Sequence, residues 1–369
     1  MENNFQHLCT VGNLDRIKQL LGENDDFIHE YDDWGFINAC GSGNMDLVKF
    51  LLEYAISIDS PIDIHSNGEN GFTNACASGN QKLVEFILAY AFSINSPIDI
   101  HTYSEEGLAN ACLAGNMELV KFLPEYAISI ESPINIHENI DRCFGNACQS
   151  GNMKLVKFLL GYADSSIDIH ANHELGFTRA CKSGNTDLVE FLLEYTVSLD
   201  SPINIHVYHE EGIKNACKNG NQELVELLIE YAESINSPID IHANDGWIFS
   251  NSCESGNLEL VKFLLEYATS INSPIDIHAR GSKAFKQACI SDNNQLIQLL
   301  IDESIFTHVK YLYDKNNETG YIFNPDFTAD IPGIHEYNGI LFQTIFNIAT
   351  SQTFLDENIH RLARKKSAR

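Results

Sequence analysis

Nine cysteines recur in step along this chain, at positions 9, 40, 76, 112, 148, 181, 217, 253 and 289, each within a variant of the phrase NACxSGNxxLVKFLLEY. The intervals between them are 31, 36, 36, 36, 33, 36, 36 and 36 residues. A fixed period of this length means that one supersecondary unit is copied, and that each copy buries its apolar face only against its neighbours. Such a chain presents a long surface and no single deep pocket. The first functional expectation is therefore binding to another macromolecule.

One copy, GFTNACASGNQKLVEFILAYAFSINSPIDIH, shows how the unit is built. Phe72, Ala75 and Cys76 lie three to four apart, the spacing of one helical face. An apolar residue recurs at the first of these positions as Phe36, Leu108, Phe144, Phe177, Ile213, Phe249 and Phe285. Gly79 supplies the left-handed residue that ends this first helix, and Asn80 is a good N-cap for a second. The Gly-Asn pair recurs in eight of the nine copies. In the copy at 44–58, Leu47, Val48, Leu51, Leu52, Ala55 and Ile58 form a continuous stripe for a second helix of about four turns. Asp46, Glu118, Asp187, Glu223 and Glu259 fall in the first turn of second helices, where acids complement the helix dipole.

The copy then runs through SPIDIH or SPINIH, where proline and the alternation of Ile with Asp or Asn favour an extended connector. Two copies depart from the pattern. Pro124 replaces Leu or Ile inside a second helix at a cost of about 3 kcal/mol, so a kink or an early end is expected there. GYADSSIDIH has lost three residues and its proline, which accounts for the 33-residue interval.

Lys and Arg total 23 against 51 Asp and Glu, a net charge of −28. That potential repels nucleic-acid phosphates and anionic lipid, so neither a nucleic acid nor a membrane is expected as partner, and a basic protein fits best. MENNFQHLCTVGN carries no secretory pattern and no stretch approaches 18 apolar residues, so a soluble protein of the cytoplasm is expected. The periodic cysteines read as small core residues in a reducing compartment. Neighbouring copies roughly 8 to 10 Å apart would hold them beyond disulfide reach. The tenth, Cys143, sits where other copies have Gly35, Gly71, Gly107, Gly176 and Gly212, and reads as a tolerated substitution.

The segment SCESGNLELVKFLLEY at 252–267 resembles the AAxxGHxxxVxxLL portion of the ankyrin repeat, with Ser252 and Cys253 for the two alanines, Gly256 matching the glycine and Asn257 replacing the histidine. The TPLH tetrapeptide is absent. The short span from each periodic His to its Cys is similar to divergent ankyrin arrays encoded by giant DNA viruses of amoebae, although the lengthening around SINSPIDIH departs from their compact form. The resemblance covers roughly residues 1–303. It implies an all-α, ankyrin-type helical-repeat solenoid of about nine units, which binds protein partners, has no catalytic activity and needs no cofactor; if viral, it would act in the host cytoplasm.

Recognition should then reside where copies differ, between the periodic His and the first helix: 30–34, 66–70, 102–106, 138–142, 171–175, 207–211, 243–247 and 279–283. Trp34, Tyr103, Tyr208 and Trp247 are the aromatic candidates for partner binding, because aromatic anchors dominate interface energies. Glu69, Glu105, Glu210 and Arg280 are the charged ones.

His29, His65, His101, His137, His170, His206, His242 and His278 each precede a periodic Cys by eleven residues. One His and one Cys per copy cannot supply the four converging ligands of a zinc site, so no metal is expected and the imidazoles should bond the neighbouring connector backbone. Nucleotide-binding, nucleophile-elbow and zinc-protease motifs are absent, and an enzyme is not expected.

From Ser304 the phrase stops. Phe306, Tyr311, Tyr313, Tyr321 and Phe323, then Ile340, Leu341, Phe342, Ile345, Phe346 and Ile348 in helical register, suit a C-terminal helical cap over 304–369. Arg361, Arg364, Lys365, Lys366 and Arg369 would follow as a basic tail. The competing reading makes this segment an adaptor element that recruits a second partner, such as a host ubiquitin-ligase component. Self-association into an architectural assembly is a third.

Overall fold

The computed structural model describes residues 5–134, 139–161, 167–277, 279–306, 310–314 and 319–323. The chain divides into two compact units, Met1–Asn204 and Ile205–Arg369. In the first, α1 (Phe5–Thr10) pairs with α2 (Leu14–Glu23), and after a 3-10 turn (Asp25–His29) come α3 (Glu30–Ser42) with α4 (Met45–Ser57), α5 (Ser66–Ala77) with α6 (Gln81–Ser93) and α7 (Thr102–Leu113) with α8 (Met117–Ser129). The unit ends with α9 (Ile140–Ser150) and α10 (Met153–Gly161), then α11 (Ala171–Ser183) and α12 (Thr186–Ser198). The second unit holds α13 (Val207–Lys218) with α14 (Gln222–Ser234), α15 (Ala243–Ser255) with α16 (Leu258–Ser270) and α17 (Ala279–Ile290) with α18 (Asn294–Phe306), followed by β1 (Lys310–Asp314) and β2 (Thr319–Phe323).

Each pair forms because the apolar stripe read from the sequence closes on its neighbour. Leu47, Val48, Leu51, Leu52 and Ala55 of α4 are all buried, and the first helices stack in chain order within each unit around buried Phe36, Phe72, Phe144, Phe177 and Phe249. Gly43 ends α3 in the left-handed region (φ 71°), and Asn44 then caps α4 by accepting from the Leu47 amide at 3.1 Å. The same asparagine donates from Nδ2 to the Gly12 carbonyl of the preceding pair at 3.0 Å. Asn80, Asn116, Asn152 and Asn185 repeat this bond to Gly43, Gly79, Gly115 and Gly151, as do Asn257 and Asn293 to Gly220 and Gly256. One side chain thus starts a helix and locks it to its neighbour, which is why the Gly-Asn pair travels as a unit.

The second helices end in a shared turn. The Ser60 amide donates to Ala55 O at 3.0 Å across Asp59, which takes φ 55°. Asn95, Asp200, Asn236 and Asn272 fill the same left-handed position, where Asn and Asp are tolerated. Glu131 fills it with a longer side chain (φ 59°) that lacks this local advantage. Glu131→Asn is therefore expected to stabilise the first unit by about 0.5–1 kcal/mol, seen as a higher urea midpoint with an unchanged slope. After the turn the connector runs without regular structure, burying Ile62 and Ile64 while Asp63 faces out.

One expectation is corrected. The early end expected at Pro124 is not seen: α8 runs on to Ser129, with Leu123 and Ala127 buried on either side of the proline. Tertiary packing of that face outweighs the lost hydrogen bond. Beyond α18 the described chain forms β1 and β2, which pair antiparallel with Lys310 opposite Phe323 and Leu312 opposite Tyr321. The alternating aromatic and β-branched residues of KYLYD and TGYIF suit a pleated ribbon. β1 lies against α17 and α18. The helical stretch expected at 340–348 and the basic tail lie outside the described residues.

Glycine at the start of the first helices has a packing cause. A Cβ added at Gly71 would stand 2.6 Å from Cε1 of Phe36, and one at Gly107 would stand 2.6 Å from Cε1 of Phe72. Where the aromatic ring is replaced, so is the glycine. Leu108 is followed 35 residues later by Cys143, and Ile213 by Ile248, both of which are buried.

Candidate functional site

The stretches between the periodic His and the first helix are not irregular loops. Tyr31, Asp32 and Asp33 all take positive φ (55°, 56° and 62°), and so do Asn67-Gly68-Glu69, Tyr103-Ser104-Glu105, Asn172-His173-Glu174, Tyr208-His209-Glu210 and Asn244-Asp245-Gly246. Each is a single left-handed turn that projects a tip before the right-handed helix begins. Backbone of this hand costs L-residues about 1 kcal/mol or more apiece, so it persists only where the surroundings determine it.

A hydrogen-bond network does so. His65 donates from Nδ1 to Glu69 Oε1 at 2.8 Å, its Nε2 lies 2.7 Å from Ser96 Oγ, and Glu69 Oε1 accepts the Asp99 amide at 3.2 Å. The third residue of the tip is thereby tied to the periodic His of its own pair and to the next connector. His170 with Glu174, Ser201 and the Asn204 amide repeats the set, as does His206 with Glu210, Ser237 and the Asp240 amide. His101 bonds Glu105 and Ser132, and His242 lies 2.8 Å from Ser273 Oγ. His29 meets the connector carbonyl of Ser60 at 3.0 Å. The expected bond to connector backbone is thus present at His29, and serine side chains of the connector are bonded by His65, His101, His170, His206 and His242. His137 and His278 lie outside the described residues.

Hydrogen bonding to Glu105 raises the pKa of His101 above its ordinary 6.5, with the nearby Glu105 and Asp99 charges adding to it and burial opposing. A raised folded-state value contributes stability that is fully present below pH 6.5 and is lost as pH rises through the folded value. The denaturation midpoint should accordingly fall as pH is raised from 6.5 towards 8, and Glu105→Gln should flatten that slope while an NMR titration of His101 moves down.

Serine, histidine and carboxylate in this order imitate a hydrolase triad, but the serine's own backbone is committed elsewhere. The Ser96 amide is spent on Ala91 O at 3.0 Å, and the residue that follows is Pro97, which has no N–H. The network holds backbone.

The nominated residues separate into two groups. Glu69, Glu105 and Glu210 are buried, at 8%, 5% and 4% exposure, with their carboxylates turned into the network. They frame the tips and are corrected here from surface contacts to internal ones. Trp247 is half-buried, with the ammonium groups of Lys214 and Lys283 at 5.8 and 4.1 Å from its ring. Arg280 is the second residue of α17, but its side chain lies outside the described ones. Trp34, Tyr103 and Tyr208 are exposed, at 45%, 59% and 53%.

Tyr31, 73% exposed, belongs with them and was not nominated. Its signal was present in the sequence, since Tyr31, Tyr103 and Tyr208 each stand two residues after a periodic His. Tyr31 and Trp34, with Gln6 and Asp32, line an open depression in the first unit. Adjacent tips are also joined: Tyr103 donates to Asn67 O at 3.1 Å, Thr102 to Gly68 O at 3.0 Å, Asn139 to Ser104 O at 2.7 Å, and Arg142 pairs with Glu106.

Comparison with known proteins agrees with this architecture. The family model for ankyrin repeats in three copies matches in overlapping stretches at residues 144–239, 177–276 and 213–319. Among solved structures, the human ASB11 ankyrin repeat domain is similar at 17% identity, covering 57% of this chain and 87% of that one, with a TM-score of 0.36. No curated protein matches the sequence. Among the described residues, no helix is long and apolar enough to cross a membrane. Residues 144–319 thus match ankyrin repeats, and the helix pairs described above carry the same two-helix unit along the array.

Proposed function

We propose that this chain is a non-catalytic scaffold whose left-handed tips bind a partner protein. The observation that carries the reading is the placement of Tyr31 and Tyr103 in the first unit and of Tyr208 in the second. All three occupy one register position and are more than half exposed, on backbone fixed by the histidine network. Aromatic side chains on rigid backbone lose little entropy when they bind, which suits recognition by a preformed surface. The net charge of −28 favours a basic partner and disfavours nucleic acid and anionic membrane. The repeat array spans 1–303 in this reading and works in the cytoplasm, in that of a host if the likeness to viral arrays reflects origin. Residues 304–369 cover its end, a role supported by β1 lying against α17 and α18.

The test compares retention of partner proteins from cell lysate by the wild-type chain, by a Tyr31→Ala, Trp34→Ala, Tyr103→Ala variant and by Tyr208→Ala. At least one variant is expected to lose a retained partner by more than about tenfold in affinity while keeping wild-type circular dichroism. Undiminished retention by both variants would place recognition elsewhere.

A further inference from the structure

One helix pair differs from the others at several positions, and the differences meet. Pro124 stands where Leu52, Leu88 and Leu193 stand in other second helices, and Leu108 replaces the phenylalanine of Phe36 and Phe72. In the next pair Cys143 replaces the glycine of Gly71 and Gly107. All three line a cavity of about 280 Å³, with Cys112, Val120 and Leu159 in its wall. Its origin is physical: a proline ring and an isobutyl group take up less space than the leucine and phenyl they replace, and a close-packed interior closes such a gap only in part.

Cys143 does more than fill the glycine site. A Cβ at Gly107 would stand 3.4 Å from Sγ of Cys76, and one at Gly176 would stand 3.6 Å from Sγ of Cys148; Cys143 holds the same position opposite Cys112, so two cysteine side chains from successive helix pairs adjoin. Both residues are buried within the protein, at 0% and 1% exposure, yet both border the cavity. Cys40, Cys76, Cys217 and Cys253, by contrast, do not border the cavity.

We propose that Cys112 and Cys143 are a disulfide-forming site, reached through the Pro124 cavity, whose co-reactant is a small low-molecular-weight disulfide. The thiolate of Cys143 attacks one sulfur of the co-reactant, breaks its S–S bond and expels one thiolate, leaving a mixed disulfide. Cys112 then gives up its proton to that expelled thiolate and attacks the Cys143 sulfur. The intrachain S–S bond forms as the second half of the co-reactant leaves and takes a proton from solvent. Two protein thiols are oxidised and one disulfide is reduced to two thiols, so electrons and protons balance. Cys143 attacks first because contact with it, together with burial, keeps the proton on Cys112. The bond would tie α7 to α9, which already stack, and the open space beside the sulfurs gives their side chains room to reach bonding geometry.

The test treats the folded full-length chain with hydroxyethyl disulfide, blocks the remaining thiols, digests with trypsin and reads the peptides by mass spectrometry. The expected product joins the Cys112 and Cys143 peptides with loss of two hydrogens, and it is absent in Cys143→Gly and in Cys143→Ser. Pro124→Leu, which refills the cavity and restores a helix former, should slow the linkage about tenfold without lowering stability. Three outcomes overturn the proposal: mixed disulfides at either cysteine with no link, linkage of other cysteine pairs at the same rate, or an unchanged rate in Pro124→Leu.

Discussion

Replacing Glu69 by alanine is expected to destabilise the first unit by about 2–4 kcal/mol, since two part-buried donors would lose a charged acceptor worth about 1–2 kcal/mol each. Those donors are His65 Nδ1, at 2.8 Å, and the Asp99 amide, at 3.2 Å, both converging on Oε1. The loss reaches past the pair itself. Without the carboxylate the third residue of the tip (φ 67°) loses its side-chain anchor, and the connector of the next pair is released at the same time. Glu69→Gln separates these contributions. Its amide oxygen can still accept both bonds, but the NH2 group falls where Oε2 has no protein partner, so about half of the loss is expected. Urea denaturation followed by circular dichroism measures both variants. A loss below about 0.5 kcal/mol for Glu69→Ala, the level of an ordinary surface substitution, would show that the tips hold their shape without the network.

Gly71→Ala is expected to cost about 1–3 kcal/mol, because its methyl group would lie 2.6 Å from Cε1 of the fully buried Phe36 and neither helix can yield freely. The expected remedy is written elsewhere in the chain. Where Leu108 replaces phenylalanine, Cys143 is accommodated, so Phe36→Leu should recover most of the loss when combined with Gly71→Ala. A double-mutant cycle by denaturant titration gives the coupling, expected at about 1–2 kcal/mol in the favourable direction. Simple additivity would mean that the ring does not set the residue opposite.

Most of this architecture could be read from the sequence because helix burial writes itself as period. The stripe of Leu47, Val48, Leu51 and Leu52, the left-handed Gly43 and the capping Asn44 each follow from local rules, and the structure places each as those rules require. The second bond of Asn44, to Gly12 O, joins residues 32 apart, and nothing local specifies it. Contacts between neighbouring second helices were equally hidden, among them the Lys49 ammonium 5.3 Å from the Phe86 ring.

The tips misled for a physical reason. A stretch such as SNGEN reads as a polar loop, and a glutamate in a polar loop reads as exposed. Three successive left-handed residues turn the chain so that Asn67 and Gly68 face out while Glu69 swings inward to its histidine. Recurrence carried the missing signal, because Glu or Asp stands four residues after His29, His65, His101, His170 and His206. A role in the frame demands such regularity, and a recognition contact does not. Tyr31 was passed over for the opposite reason, since its three-copy recurrence with Tyr103 and Tyr208 marks an exposed position.

Site-specific photocrosslinking addresses the binding surface most directly. A benzophenone amino acid is placed at Tyr103 on a tip or at Glu53, exposed on the second helix α4, and each chain is irradiated with a partner retained by the wild type. The tip position is expected to crosslink that partner and position 53 to leave it unmodified. Crosslinking from 53 with none from 103 would place recognition on the second helices and contradict the assignment of the tips.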